Sequence, residues 1–121
     1  MSPDAPDPIA RTPEPPYYAV IFTSLRTEAN EPEYAAASAE MEALASEQPG
    51  FLGVESARGA DRLGITVSYW KSEEAIRAWK LIADHRAVQR IGRERWYAGY
   101  TLRVGRVERS YTLETSPRVG L

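Results

Sequence analysis

The residue pattern predicts an α+β chain: a four-stranded antiparallel sheet with two helices on one face, in the order β-α-β-β-α-β. Three observations lead there. Residues 17–26, 51–58, 63–70 and 97–111 each alternate with the period of two expected of strands. Two stretches between them, 31–48 and 72–96, carry apolar residues at helical spacing. Turn chemistry separates the elements, with Pro49-Gly50 after the first helix and Gly59-Ala60-Asp61-Arg62 between the middle strands. A right-handed crossover, a hairpin and a second crossover in that order give the ferredoxin-like sandwich.

The elements follow in order. Residues 1–16 hold six prolines, which fix φ and remove backbone donors, so an extended or disordered arm is expected, free to lie along a partner subunit. YYAVIFTSLR is apolar on both faces at its middle, the mark of a central strand. If the helices cover one sheet face, the other leaves Tyr18, Val20 and Phe22, or their counterparts, unprotected. A second copy packing on it through a two-fold axis would bury that patch, so a homodimer is expected. Asn30 offers an N-cap with Glu33 three residues on, and Tyr34, Ala37, Met41, Leu44 and Ala45 form the inner stripe of a helix running to about Gln48. FLGVESAR and LGITVSYW read as a hairpin. The second of these is small on one face (Gly64, Thr66, Ser68) until it ends in Trp70, as expected where something packs close to the sheet. Ser72 caps the next helix, with Glu73 and Glu74 in its first turn. A break is expected near Ala83-Asp84, with Asp84 capping a second segment over 85–96. The fourth strand, 97–111, is long enough to reach beyond its own sheet. The domain proper is therefore 17–111, followed by a loose tail at 112–121.

Composition narrows the function. The chain has 121 residues, 43% apolar and 26% charged, with a net charge of −2, which fits one globular domain. No run approaches the roughly 18–20 apolar residues needed to span a bilayer. MSPDAPDPIARTPEPP lacks the basic and apolar regions of a secretory signal, so a cytoplasmic protein without membrane contact is expected. Without cysteine there is no disulfide framework and no thiol nucleophile. With one histidine besides, a metal site built from several side-chain nitrogens or sulfurs is excluded within one chain. Residues 1–61 carry 11 acids and 3 bases, residues 62–121 carry 6 acids and 12 bases. The arginines follow no nucleic-acid-binding motif, so the asymmetry reads as acidic and basic elements lying side by side, and no nucleic-acid partner is expected.

The stretch from Leu63 to Tyr100 holds all three tryptophans, Trp70, Trp79 and Trp96, and the single histidine, His85. His85, as the single imidazole of the chain, is the natural proton shuttle. Three indoles with Tyr69, Tyr97 and Tyr100 suit a small flat aromatic ligand, since paired rings gain about 0.5–1.5 kcal/mol beyond area burial. One of the arginines at 86, 90, 93 and 95, with Arg93 the candidate, would turn inward to hold a phenolate or carboxylate. No strand-to-helix glycine motif for a nucleotide is present.

YWKSEEAIRAWKLIADHRAVQ, preceded by QPGFLGVESAR, resembles the antibiotic biosynthesis monooxygenase-like family over residues 17–110. The resemblance implies a dimeric α+β barrel. It also implies one of two oxygenase chemistries, or a non-catalytic ligand-binding or stress-related dimer of the same fold. The haem-degrading branch places an asparagine on the first strand, a tryptophan on the helix and an iron-ligating histidine about three turns later. Trp79 matches the tryptophan, but Thr23 falls near the asparagine position and Gln89 takes the histidine position. Glutamine is not a credible axial ligand, so no haem and no other cofactor is expected. The cofactor-free branch needs a dry aromatic pocket and a group to deprotonate a phenol. Its expected catalytic residues here are His85 and Trp79, with Thr23, Trp70, Gln89, Arg93 and Trp96 around the substrate.

Overall fold

A computed structural model describes residues 8–28, 31–89 and 97–116. The element order is β1 (Tyr17–Arg26), α1 (Glu31–Ser46), β2 (Phe51–Arg58), β3 (Leu63–Trp70), α2 (Glu73–Gln89) and β4 (Tyr97–Val107). The strands form one sheet in the order β2-β3-β1-β4, each neighbouring pair antiparallel. This is the ferredoxin-like α+β arrangement. β1 and β3 are central, β2 and β4 are edges.

Local chemistry sets each boundary. Gly50 takes φ 87°, and its carbonyl accepts the Lys71 N–H at 2.8 Å, tying the start of β2 to the turn before α2. The β2–β3 turn closes through Gly59 N–H to the Leu63 carbonyl at 2.9 Å, with Asp61 Oδ1 accepting the Leu63 N–H at 3.1 Å. Ser72 Oγ accepts the Ala75 N–H at 3.1 Å and caps α2. The expected cap Asn30 lies outside the described residues.

Two expectations are corrected. The helix does not break at Ala83-Asp84: α2 runs unbroken from Glu73 to Gln89. Asp84 instead bonds back one turn to Lys80 at 2.8 Å, a pairing that supports a helix interior rather than a cap. β4 ends at Val107, opposite Tyr17, the first residue of β1, where the partner strand runs out. It therefore reaches no further than its own sheet. The structure also decides which of the two sheet faces is covered. Val20 and Trp70 form the core with Ala45 of α1 and Ile76 of α2, and Tyr18, Phe51, Ala75 and Trp79 pack on it. Tyr18, Val20 and Phe22 thus face the helices. Their alternates carry the uncovered face, where Leu25, Leu63 and Ile65 remain 42%, 46% and 46% exposed.

The described part of the arm, residues 8–16, lies against this same chain. Its Ala10 N–H donates to Glu55 Oε2 at 2.9 Å, and Thr12 Oγ1 meets the Tyr17 hydroxyl at 2.8 Å. A side chain on Gly53 would come within 3.1 Å of Ala10 Cβ, so the glycine allows that approach. Tyr69 donates its hydroxyl proton to Glu55 Oε1 and meets Tyr17 edge-on at 5.8 Å. Burial, and then Glu55, raise the Tyr69 phenol well above the usual tyrosine range. No helix among the described residues is long and apolar enough to cross a membrane.

Candidate functional site

The helix-facing side of the sheet alternates large and small side chains. β1 offers Val20 and Phe22, β2 offers Val54 and Ser56, β3 offers Thr66 and Ser68, and β4 offers Tyr100 and Leu102. Hydroxyl-bearing residues on β2 and β3 cannot fill the space beneath two helices. A cavity of about 380 Å³ results, roofed by Tyr34, Ala37, Ser38, Met41 and Ala45 of α1 and by Ile76, Trp79, Ala83 and Asp84 of α2. Each set follows the spacing of one helical face.

One wall is a stack of rings. Trp70 is fully buried, meets Phe51 edge-on at 5.5 Å and stacks on Trp79 at 6.0 Å with 20° between planes. Trp70 thereby holds Trp79, which lines the cavity. The opposite end is phenolic. Phe22 contacts Tyr97 at 5.5 Å and Tyr100 at 5.2 Å, and Tyr97 meets Tyr34 edge-on at 5.8 Å. The Tyr97 hydroxyl donates to the Tyr34 oxygen at 3.2 Å, and Arg58 Nη2 donates to the same oxygen at 3.4 Å.

Arg58 is positioned by what β3 lacks. Its guanidinium lies where a side chain on Gly64 would stand, and Nη2 donates to Ser24 Oγ at 2.8 Å. Nη1 donates to the Ser24 and Arg62 carbonyls. Buried Arg26 sets its guanidinium carbon 3.6 Å from the centroid of the Tyr34 ring. Two cations therefore flank one tyrosine, one on its face and one at its oxygen. Arg86 of α2, which lines the cavity, pairs with Glu40 of α1 at 3.1 Å, bridging the two helices.

The residues singled out in the sequence separate into groups. Trp79 lines the cavity, and Trp70 supports it from the core without lining it. His85 is exposed and outside the lining, whereas its neighbours Asp84 and Arg86 belong to it. Thr23 alternates with Phe22 and pairs with Ile65 and Thr101, which places it on the sheet face away from the cavity. Gln89 ends α2, and its side chain lies outside what is described; Arg93 and Trp96 also lie outside the described residues. Sequence reasoning missed Tyr34, Arg58 and Arg26 as a group. The signal available was Gly64, whose missing side chain makes room for a distant one. Among the described residues, no three histidine, aspartate or glutamate side chains converge as a metal site.

Residues 16–91 match the model of a family described as antibiotic biosynthesis monooxygenase. Over 103 residues the chain is 52% identical to the uncharacterized protein YqjZ of Bacillus subtilis (strain 168), covering 85% of this chain and 90% of that one. Two solved structures share the fold. PA3566 from Pseudomonas aeruginosa superposes with a TM-score of 0.62 at 11% identity, over 80% of this chain and 97% of that one. SO0527 from Shewanella oneidensis does so with a TM-score of 0.66 at 10% identity, over 84% and 100%.

Proposed function

The chain belongs to the antibiotic biosynthesis monooxygenase family, and from that premise we propose that it is a cofactor-independent monooxygenase of a small phenolic substrate, acting as a homodimer. The observation that carries this reading is the aromatic cavity of about 380 Å³ between the sheet and the two helices, walled by Trp79. A fused-ring phenol lies against the Trp79 indole and loses a proton. Its electron-rich anion forms a carbon–oxygen bond with dioxygen, and the peroxide so made loses water to leave a carbonyl. A ring CH2 plus O2 gives C=O plus H2O, with all four electrons supplied by the substrate.

The first proton goes to Asp84, which lines the cavity, rather than to His85, which does not. An oxygen electrode with anthrone as substrate tests this. The wild type is expected to consume oxygen, and Asp84→Asn to lose about 100-fold, a typical general-base contribution. His85→Ala should stay within about twofold, because that residue is exposed and does not line the cavity. Binding of fused-ring phenols with no oxygen uptake would replace this reading with a second. The exposure of the single histidine favours that one, a non-catalytic ligand-binding dimer of the same fold.

A further inference from the structure

The sheet floor of the cavity is polar where β2 meets β3. Ser56 and Thr66 stand directly opposite each other in the ladder, and Ser68 follows two residues along β3 on the same face, all three lining the cavity. Ser68 differs from the other two in having its oxygen fixed. The Trp70 indole N–H donates to Ser68 Oγ at 2.8 Å. An indole nitrogen is only a donor, so this bond occupies a lone pair of Ser68 and leaves its proton to be given elsewhere. Trp70 cannot turn away, because it is fully buried with Phe51 against its edge and Trp79 stacked on its face. The core therefore presets the serine as a hydrogen-bond donor at the cavity floor.

We propose that Ser68, with Thr66 beside it, selects ligands by an acceptor oxygen on the edge of the ring system: a ketone, quinone or phenolate oxygen. This rests on the reading that the cavity is the ligand site, but not on any reaction occurring there. A hydrocarbon of the same outline fills the cavity and leaves the Ser68 proton without an acceptor. An oxygen-bearing ring takes that proton while its faces meet Trp79. In the proposed oxidation, the same donor faces the substrate oxygen as that oxygen gains negative charge.

A matched pair of probes isolates the contribution: 1-tetralone and tetralin, which share one outline and differ by the ketone oxygen. Binding is read from tryptophan fluorescence, since Trp79 lines the site. The wild-type protein should bind tetralone about five- to tenfold more tightly than tetralin, the range of one net hydrogen bond. Ser68→Ala should abolish that preference without changing tetralin affinity, and Ser68→Thr, which keeps the hydroxyl, should retain most of it. Because Ser68→Ala also strips the Trp70 N–H of its acceptor, Thr66→Val provides an independent arm. That variant should reduce the tetralone preference about twofold with an unchanged thermal midpoint. Equal binding of the two probes to the wild type, or equal weakening of both in Ser68→Ala, overturns the selection by oxygen and leaves the cavity as a ligand site. Failure of the wild type to bind either probe overturns both together.

Discussion

Tyr69 shows how one half-buried pair ties the arm to the sheet. Glu55 accepts from the Tyr69 hydroxyl with one oxygen and from the Ala10 N–H with the other, so a single carboxylate joins β2, β3 and the arm. The phenol is held protonated by burial first and by Glu55 second. Above about pH 10 an unfolded tyrosine loses its proton while Tyr69 keeps it, so the unfolded state binds fewer protons. Stability is therefore full below pH 10 and declines as pH rises beyond it. Urea denaturation between pH 9 and pH 11 should show that decline, and Tyr69→Phe should flatten it. A slope unchanged in the variant would remove Tyr69 as its source. Trp79 makes a second residue-level case. Trp79→Ala deletes a ring stacked on Trp70 and should cost about 3 kcal/mol by chemical denaturation. Trp79→Phe retains a wall and should cost less than about 1.5 kcal/mol.

At the scale of elements, α2 is anchored at its start through Gly50, and further along it Arg86 pairs with Glu40 of α1. Gly50 holds φ 87°, and a Cβ there would sit 2.6 Å from Ala75 Cβ, in the first turn of α2. Gly50→Ala therefore meets strained backbone and a steric clash together, and should cost at least about 1–2 kcal/mol by denaturant midpoint. By contrast, Arg86–Glu40 joins side chains that are each 38% exposed, and such a pair contributes at most about 1 kcal/mol. Ligand entry past that bridge should quicken between 0.1 and 1 M salt, and Arg86→Gln should make stopped-flow entry rates independent of salt. The same contrast explains what the sequence discloses. β2 and β3 were legible to the residue, because Pro49-Gly50 and Gly59–Arg62 are local signals bracketing short alternating runs. The continuity of α2 through Asp84 was not, since an aspartate that would cap a helix start also serves as the i+4 partner of Lys80. Trp79 and a space beneath α2 were foreseeable from helical spacing and the small face of β3. The Tyr34–Arg58–Arg26 group was not, because its members come from α1, β2 and β1 and meet only over Gly64. Thr23 fell on the wrong side of a period of two, where a shift of one residue exchanges the faces.

For the whole molecule the open question is what covers the sheet face opposite the helices. The arm covers one end of it, where Tyr17 is buried and Tyr69 is held by Glu55. The other end exposes Leu25, Leu63 and Ile65 side by side across β1 and β3, where Leu25 pairs with Leu63 and Thr23 with Ile65. β4 adds an edge strand with only β1 as neighbour, and its Thr101 and Arg103 continue this face beside Thr23 and Ile21. The proposed homodimer would put this patch against its own copy, and a stable interface of this kind buries about 1,200–2,000 Å² in total. In a two-fold interface each substitution acts twice, so Ile65→Asp would introduce two carboxylates into one apolar contact. Light scattering at micromolar concentration should give a dimer for the wild type and a monomer for Ile65→Asp. Because Ile65 is half exposed within one chain, the variant should keep its far-ultraviolet circular dichroism and lose only the partner. Removing residues 1–12 separates the roles of arm and partner. If the arm covers only its own sheet, the truncated chain stays dimeric and exposes Tyr17 and Tyr69 to the dye ANS. A wild-type monomer at these concentrations would defeat the dimer and leave the exposed face of β1 and β3 without the cover argued for it.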